Sequence, residues 1–352
     1  MVSLDIFNQD AFSFTSLVAA IDKVPYSPSF LRNLNLCMPK PVTTKTVAIE
    51  ERGGTIGLVQ TSQRGSPAPS RATEKRNVRS FETVRIAKKD RIMGDEIANL
   101  RAFGSETDTQ TVQNEVMRRM SGPVGLQSEI ELTWEHMLLG MVQGIVLDAD
   151  GSVIVNWYDE FGIDQPDEIA FDLTGAQAAS TSPNGALKLK PFLRQNVVRP
   201  MQQAAGGAFN PSTQIYALCG SDFYDAVTSH GDVARAYGNW SNTKPSDDSG
   251  AFEVFYWGGV NWCDYRGTDD GSTVAVTASE VKFFPVNAPG VFINAWAPGE
   301  GINGAGAPGV PLLPVIDVDP SNLKEWADIH LRSYPLHICS RPEILLRGKA
   351  GA

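Results

Sequence analysis

Four histidines, four cysteines and a few acid-rich turns are the residues of this 352-residue chain with the most obvious capacity for chemistry. The histidines are His136, His230, His330 and His337, and they form no HxxxH or HExxH spacing. His136 follows Glu135 in a helical pattern with no second ligand at i+4. His330 and His337 lie seven apart on an expected strand, so they face opposite sides. Metal ligation and histidine-assisted nucleophilic catalysis are therefore weakly supported. Cys37, Cys219, Cys263 and Cys339 are tens of residues apart without a CxxC pair, which reads as separate buried thiols, neither a zinc knuckle nor a disulfide framework.

Three further patterns lose to simpler readings. Gly299-Glu300-Gly301-Ile302-Asn303-Gly304 is a literal GxGxxG, but Pro298 precedes it and a Gly/Pro-rich stretch follows. A phosphate cradle needs a strand before it and a helix after it, so a loop is expected. Asp148-Ala149-Asp150-Gly151 resembles a calcium loop, yet glycine comes fourth instead of sixth, and a hairpin turn fits better. Asp247-Asp248 and Asp269-Asp270 sit in Gly/Ser-rich stretches; a hydrolase built on such a carboxylate pair is the competing enzymatic reading, and solvated turns are the commoner case. No GxSxG or Walker sequence occurs. The expectation is a protein that is not an enzyme, with no metal and no cofactor.

The remaining question is what elements these residues decorate. Composition is ordinary, with 42% apolar residues and a net charge of −10, which excludes intrinsic disorder and argues against a general nucleic-acid coat. A chain this long buries roughly 75% of its unfolded surface and needs no staple. The first residues lack the basic start of a secretory signal, and the most apolar stretch, from His136 to Leu147, is too short to span a membrane. A soluble, intracellularly assembled protein without membrane contact is expected.

Charge is unevenly distributed. Residues 40–91 carry twelve basic and five acidic side chains, +7, which leaves −17 elsewhere. Such asymmetry points to an electrostatic partner, either nucleic acid or an acidic surface on another copy. Within this segment Thr46–Ile49 reads as a strand and Glu82–Ile86 as its return, flanking a Pro/Ser/Gly/Arg tip. An isolated hairpin is marginal in water, so packing on a neighbouring subunit is expected to stabilise it. Arg64, Arg71, Lys75, Arg76 and Arg79 are the candidate inter-subunit contacts.

Beyond the arm, Val112, Val116 and Met120, then Leu126, Ile130, Trp134, Met137, Leu138, Met141 and Ile145, mark one long amphipathic helix from Asp108 to about Gly144, kinked at Gly122-Pro123. Glu129, Glu131 and Glu135 fall among its polar positions. An Asp-Gly hairpin at 145–157 follows, then a helix at 187–205, a strand at 214–219, and a short helix capped by Ser221-Asp222. A Gly258-Gly259 hairpin and strands at 281–285 and 329–339 complete an α+β chain.

This order of parts resembles the major capsid proteins of tailed bacteriophages with the Hong Kong 97-type fold, specifically the group that includes the phage lambda major capsid protein E. Pro25-Tyr26-Ser27-Pro28-Ser29-Phe30-Leu31 is similar to that group's arm entering its extended loop, and Trp257-Gly258-Gly259-Val260 to its aromatic hairpin. Glu300-Gly301-Ile302-Asn303 resembles its loop after the penultimate strand. Asp328–Leu336 with Ser340-Arg341-Pro342-Glu343 resembles its C-terminal ending. The resemblance implies an N-terminal arm at 1–45, an extended loop at 46–91, and a spine helix and peripheral domain at 92–190. It further implies an axial domain at 191–325 and a C-terminal strand at 326–352 that completes the peripheral domain. The implied function is a structural subunit that self-assembles into hexamers and pentamers of an icosahedral virion shell. That shell would be assembled in the host cytoplasm and would enclose double-stranded DNA without sequence-specific binding. A separate scaffolding protein and a portal are the implied partners, and a decoration protein is compatible with it. An encapsulin-like, non-viral shell of the same fold is the alternative.

Overall fold

The computed structural model describes residues 26–53, 75–94, 96, 108–173, 189–238, 254–268, 270, 274–301, 306–320 and 325–351. In chain order, a single-turn helix α1 (Phe30–Asn33) leads to β1 (Met38–Pro41), the pair β2 (Thr46–Gly53) and β3 (Lys75–Glu82), and β4 (Ile86–Met93). Helices α2 (Asp108–Ser121) and α3 (Leu126–Met141), the hairpin β5 (Ile145–Leu147) and β6 (Val153–Asn156), helix α4 (Trp157–Phe161) and strand β7 (Ile169–Phe171) come next. Then α5 (Leu189–Leu193) and α6 (Arg199–Ala205), joined by the π-helical turn Arg194–Val198, precede β8 (Gln214–Cys219), α7 (Ser221–Ser229) and α8 (Gly231–Gly238). The chain closes with β9 (Val254–Trp257), β10 (Val260–Asp264), β11 (Glu280–Val286), β12 (Phe292–Trp296), β13 (Leu313–Val318), β14 (Trp326–Ser333), β15 (Pro335–Cys339) and β16 (Leu346–Ala350). The α+β class is as expected.

The largest sheet runs β7-β16-β11-β8-β10-β9, parallel at β7/β16 and β8/β10 and antiparallel elsewhere. Its register explains its packing. Leu346, Phe283, Ala217, Trp262 and Phe255 stand in one row across five strands. Ala217 is the small member, and the Phe283 and Trp262 rings meet edge to face beside it, 5.8 Å between centroids. Alternating large and small residues lets the layer interdigitate without voids. Phe223 of α7 stacks on Trp262, and Phe171 of β7 meets both Phe223 and Phe192 of α5. Gly258 and Gly259 turn β9 into β10 at φ of +70° and +94°, values that side-chain-bearing residues rarely adopt.

Two further sheets have three strands each, β1-β12-β15 and β13-β14-β4. A second, smaller core of Ile92, Leu126, Ile130, Ile329 and Leu331 lies between β4-β14 and the helices α2 and α3. The sheets draw strands from distant stretches of chain. Residues 346–350 complete the six-stranded sheet, whereas 292–296 and 313–318 leave it for the other two. Contiguous sequence ranges therefore do not map one-to-one onto sheets.

Several expectations are corrected. The return strand is Lys75–Glu82, not Glu82–Ile86, with Thr46 opposite Glu82. After Glu82 the chain changes partner: the Val84 N–H donates to the Pro335 carbonyl, and β4 pairs with β14. The extended hairpin thus ends at Glu82, and 86–93 belongs to another sheet. The expected single helix is two, separated by four residues. A Cβ on Gly122 would lie 2.2 Å from the Arg118 carbonyl oxygen, so this close turn admits only glycine there. Gly220, and not Ser221-Asp222, holds the N-cap position of α7. The expected strand 329–339 is two strands in different sheets, divided at Tyr334.

That division places the two C-terminal histidines in unlike surroundings. His330 on β14 is half-buried, and His337 on β15 is buried beside the Trp296 edge, neither of its ring nitrogens having a hydrogen-bond partner among the described residues. Burial lowers the His337 pKa from 6.5 to about 4. The folded state therefore favours the neutral ring, so this stability is fully present above pH 6.5 and lost as pH falls towards 4. The loss is on the order of 3 kcal/mol. Urea titrations at stepped pH should show wild type losing this increment relative to His337→Met, whose difference curve is flat above 6.5.

Candidate assembly surfaces

The basic hairpin starts as part of the subunit body. Successive strand residues face opposite sides, so Val47 and Phe81, paired directly across β2 and β3, point the same way and are buried. Phe81 meets the Trp157 ring edge to face at 5.2 Å. Arg79, two residues back on the same face, lies over the Phe161 ring at 5.5 Å. Trp157 and Phe161, both on α4, stack on one another. The opposite face is solvated: Thr46, Ala48, Glu50, Val78, Ser80 and Glu82 are all exposed. Thus the root of the arm is stabilised within its own chain.

Farther out, the backbone register places Arg52 opposite Arg76 and Gly53 opposite Lys75. Of the five candidate contacts, Arg64 and Arg71 lie outside the described residues, Lys75 and Arg76 begin β3, and Arg79 is engaged by Phe161 of its own chain.

Three acids from outside the segment offset part of the excess positive charge at 40–91: Glu300, Glu129 and Asp328. Arg85 pairs with Glu300 at 3.0 Å and Lys88 with Glu129 at 2.6 Å, while Lys45 pairs with Glu82 of the same segment at 3.6 Å. Asp328 on β14 is gripped by two cations of β4. Arg91 donates from Nε at 2.6 Å and Nη2 at 2.9 Å, and Lys89 from Nζ at 3.3 Å. Trp326 carries the Arg91 guanidinium on its face at 4.3 Å. The Arg91 hydrogen bonds, reinforced by Lys89, hold the Asp328 carboxyl down at about 2. Such a group stabilises the fold above the ordinary carboxylate range and loses its effect as pH falls towards 2. Asp328→Asn should therefore unfold at lower temperature than wild type at pH 7, the gap closing with acidification in a scanning calorimeter.

The break between α2 and α3 is tied down by a similar cluster. Glu115 accepts from Arg118 at 2.7 Å and from Arg119 at 2.7 Å, and Arg119 also donates to Glu96 and to the Arg91 carbonyl. These donors hold the Glu115 carboxyl at about 2. Sequence reading gave no role to Asp328 or Glu115 and placed Glu135 only among the polar positions of its helix. Glu135 is fully buried, contrary to its expected polar position. The available signal was the unbroken apolar run Met137–Val142 beginning two residues later, because a helix that is apolar all round is central, and so are its polar members.

The chemistry-bearing motifs resolve into structure. Burial raises the thiols of Cys37, Cys263 and Cys339 to about 12 and that of Cys219 well above its ordinary value, which keeps them protonated. Asp150 accepts from the Ser152 amide and hydroxyl inside the β5–β6 turn. Asp247 and Asp248 lie outside the described residues, as do Asp269 and residues 302–304 of the GxGxxG stretch. Asp270 accepts from the Thr268 hydroxyl. Among the described residues no group of three or more His, Cys, Asp or Glu could hold a metal ion, and no helix is long and apolar enough to cross a membrane.

Comparison with known proteins identifies the family of this chain. The phage major capsid protein E family matches residues 13–350, and the chain belongs to that family. It is 22% identical over 371 residues to the major capsid protein of Salmonella phage Felix O1, covering 97% of each. It is 23% identical over 360 residues to the major capsid protein of Pseudomonas phage KPP10, covering 97% of this chain and 98% of the relative. Among solved structures, the capsid of cyanophage P-SCSP1u aligns with a TM-score of 0.49 at 10% identity, covering 90% of this chain and 86% of the other. The mature capsid of bacteriophage PhiM1 gives 0.46 at 10%, covering 89% and 84%. The SrpI encapsulin complex of Synechococcus elongatus gives 0.48 at 11%, covering 99% and 96%. The family match favours a phage capsid over the encapsulin-like alternative. The protein is a structural subunit of a phage capsid.

Proposed function

We propose that copies of this chain associate as hexamers and pentamers of an icosahedral shell, each projecting its basic hairpin onto an acidic surface of the next copy. The observation that carries this reading is a basic hairpin, β2–β3, whose root is anchored in its own subunit, in a chain that belongs to a capsid family. A heterologous contact of this type, repeated around a closed rotation, generates rings. Each exposed ion pair contributes little, so stability comes from many contacts, with charge setting register and partner choice. The hairpin β2–β3 serves as the extended loop of a Hong Kong 97-type subunit. The small core under β13-β14-β4 belongs to a peripheral unit, and the six-stranded sheet to an axial one.

The partners in this reading are other copies of the chain, a scaffolding protein, a portal, and DNA enclosed without sequence-specific contacts. The formal charge of −10 supports mechanical containment of the genome and opposes its condensation. Host cytoplasm is the place of assembly and the virion the final location. Size-exclusion chromatography and negative-stain microscopy of the expressed protein, alone and with the scaffolding partner, test it. Six- and five-membered rings and closed particles are the expected result. A protein that stays at its 38.1 kDa monomer mass under both conditions would overturn it.

A further inference from the structure

Strand β13 is the outer member of its sheet, bonded to β14 on one side and to no other strand among the described residues on the other. An exposed edge is a template for another strand, and soluble proteins usually blunt it with lysine, bulges or a covering element. Here Pro314 is confined to the start of the strand. Val315, Ile316 and Val318 remain 36%, 55% and 49% exposed, and Asp317 is the sole charged residue. Asp317 has no ion pair among the described residues. By sequence, residues 313–325 carry Asp317, Asp319 and Glu325 against Lys324, so the strand and the residues that follow it are net acidic.

Strand β3 has the complementary properties. It is half of a two-stranded sheet, so its outer edge is likewise unpaired by any described strand. Val78 is 60% exposed on it, and its eight residues include Lys75, Arg76 and Arg79 against one acid, Glu82. Edge pairing supplies main-chain hydrogen bonds for affinity, while side chains set specificity.

We propose that β3 of one copy adds to β13 of a second copy, extending the sheet β13-β14-β4 across the subunit boundary. Exposed valine and isoleucine side chains meet at the junction, and the basic start of β3 meets Asp317, Asp319 and Glu325. This inference rests on the hairpin-to-neighbour reading above and names the surface that receives the hairpin. It also accounts for why an apolar, unblunted edge is tolerated: assembly covers it.

The test uses the full chain. Ile316→Lys/Val318→Lys changes only exposed side chains, so the subunit should retain its far-ultraviolet circular dichroism and melting profile. Its yield of shells by sedimentation should fall roughly tenfold or more. In parallel, shells assembled from mixed isotopically heavy and light subunits are treated with a carbodiimide, which joins a lysine amine to a carboxylate. Heavy–light cross-links from Lys75 to Asp317, Asp319 or Glu325 are expected. Normal shell yield from the double variant would overturn the inference. So would Lys75 cross-links that go to other acids, for example those at 159–172, and none to this edge. If reversal of the hairpin charges abolishes shells while the β13 variant assembles normally, the hairpin reading stands and only its receptor is wrong. If both variants assemble normally, the hairpin reading itself fails.

Discussion

Glutamate in place of Arg64, Arg71, Lys75 and Arg76 is expected to give a folded subunit that forms no shells. Four reversals convert the distal arm from strongly basic to strongly acidic and turn attraction for an acidic neighbour into repulsion. They leave the root intact, because Val47, Phe81 and Trp157 hold the hairpin to the body without these residues. Circular dichroism and melting should therefore match wild type, while particles vanish from sedimentation profiles at physiological salt. Arg79 is excluded from the set for a structural reason. Its guanidinium lies over Phe161, so Arg79→Glu removes a cation–π contact of about 0.5–1 kcal/mol and lowers subunit stability as well as altering charge. Normal particles from the fourfold variant would show that the arm's charge has no part in assembly.

The second large effect concerns Glu135. This carboxylate on α3 is fully buried and accepts from the Leu31 amide at 2.8 Å, the Arg32 amide at 3.2 Å and the Tyr265 hydroxyl at 3.4 Å. The first two are unsatisfied donors at the start of α1, so one side chain of the long helix ties down the entering arm and reaches the strand-end tyrosine behind it. Arg32 bridges to the adjacent Glu131 at 2.8 Å and completes the clasp. Glu135→Ala leaves those donors buried without an acceptor and should cost on the order of 3 kcal/mol in urea unfolding. Cleavage by a protease near residues 26–32 should rise in the same variant.

Glu135→Gln separates charge from hydrogen bonding. It keeps an acceptor oxygen, so its cost should be smaller than that of alanine. Burial raises the Glu135 pKa above the ordinary value, outweighing the lowering by the Leu31 and Arg32 amides. The folded state then holds the proton more tightly than the unfolded chain. Its stability contribution is largest below the ordinary carboxylate range and declines as pH rises through the elevated pKa. The glutamine variant lacks this decline, so the wild-type-minus-variant curve should slope downward with pH in that window. A flat difference curve would mean that Glu135 does not titrate differently in the two states.

How far these features were legible in the sequence depends on the range of the interaction behind each. Local patterns read well. Gly258-Gly259 between aromatic runs forms the expected turn, 214–219 forms the expected strand, and the apolar spacing at 126–141 forms a helix. Features that depend on a distant partner did not. Nothing around Glu82–Ile86 reveals that the chain abandons β2 at Glu82, because the competing partners are Pro335 and β14, some 250 residues away. The split of 329–339 at Tyr334 was hidden for the same reason. Both halves are apolar and strand-forming, and only the presence of two different sheets separates them.

Charge shows the division most clearly. The excess of basic residues at 40–91 follows from composition and survives as a feature of the molecule. By itself it does not say which cations remain for a neighbour. The fold answers that by bringing Glu129, Glu300 and Asp328 to Lys88, Arg85 and the Lys89–Arg91 pair. Coulombic pairing acts through space over a few ångströms, so a charge count along the chain can establish asymmetry but not its satisfaction. The sequence determined that this is an α+β chain with a basic hairpin and the ordered parts of a capsid family. Tertiary structure alone decided that the hairpin's root belongs to its own subunit, that Glu135 clasps the arm, and that an acidic, apolar strand edge is left open.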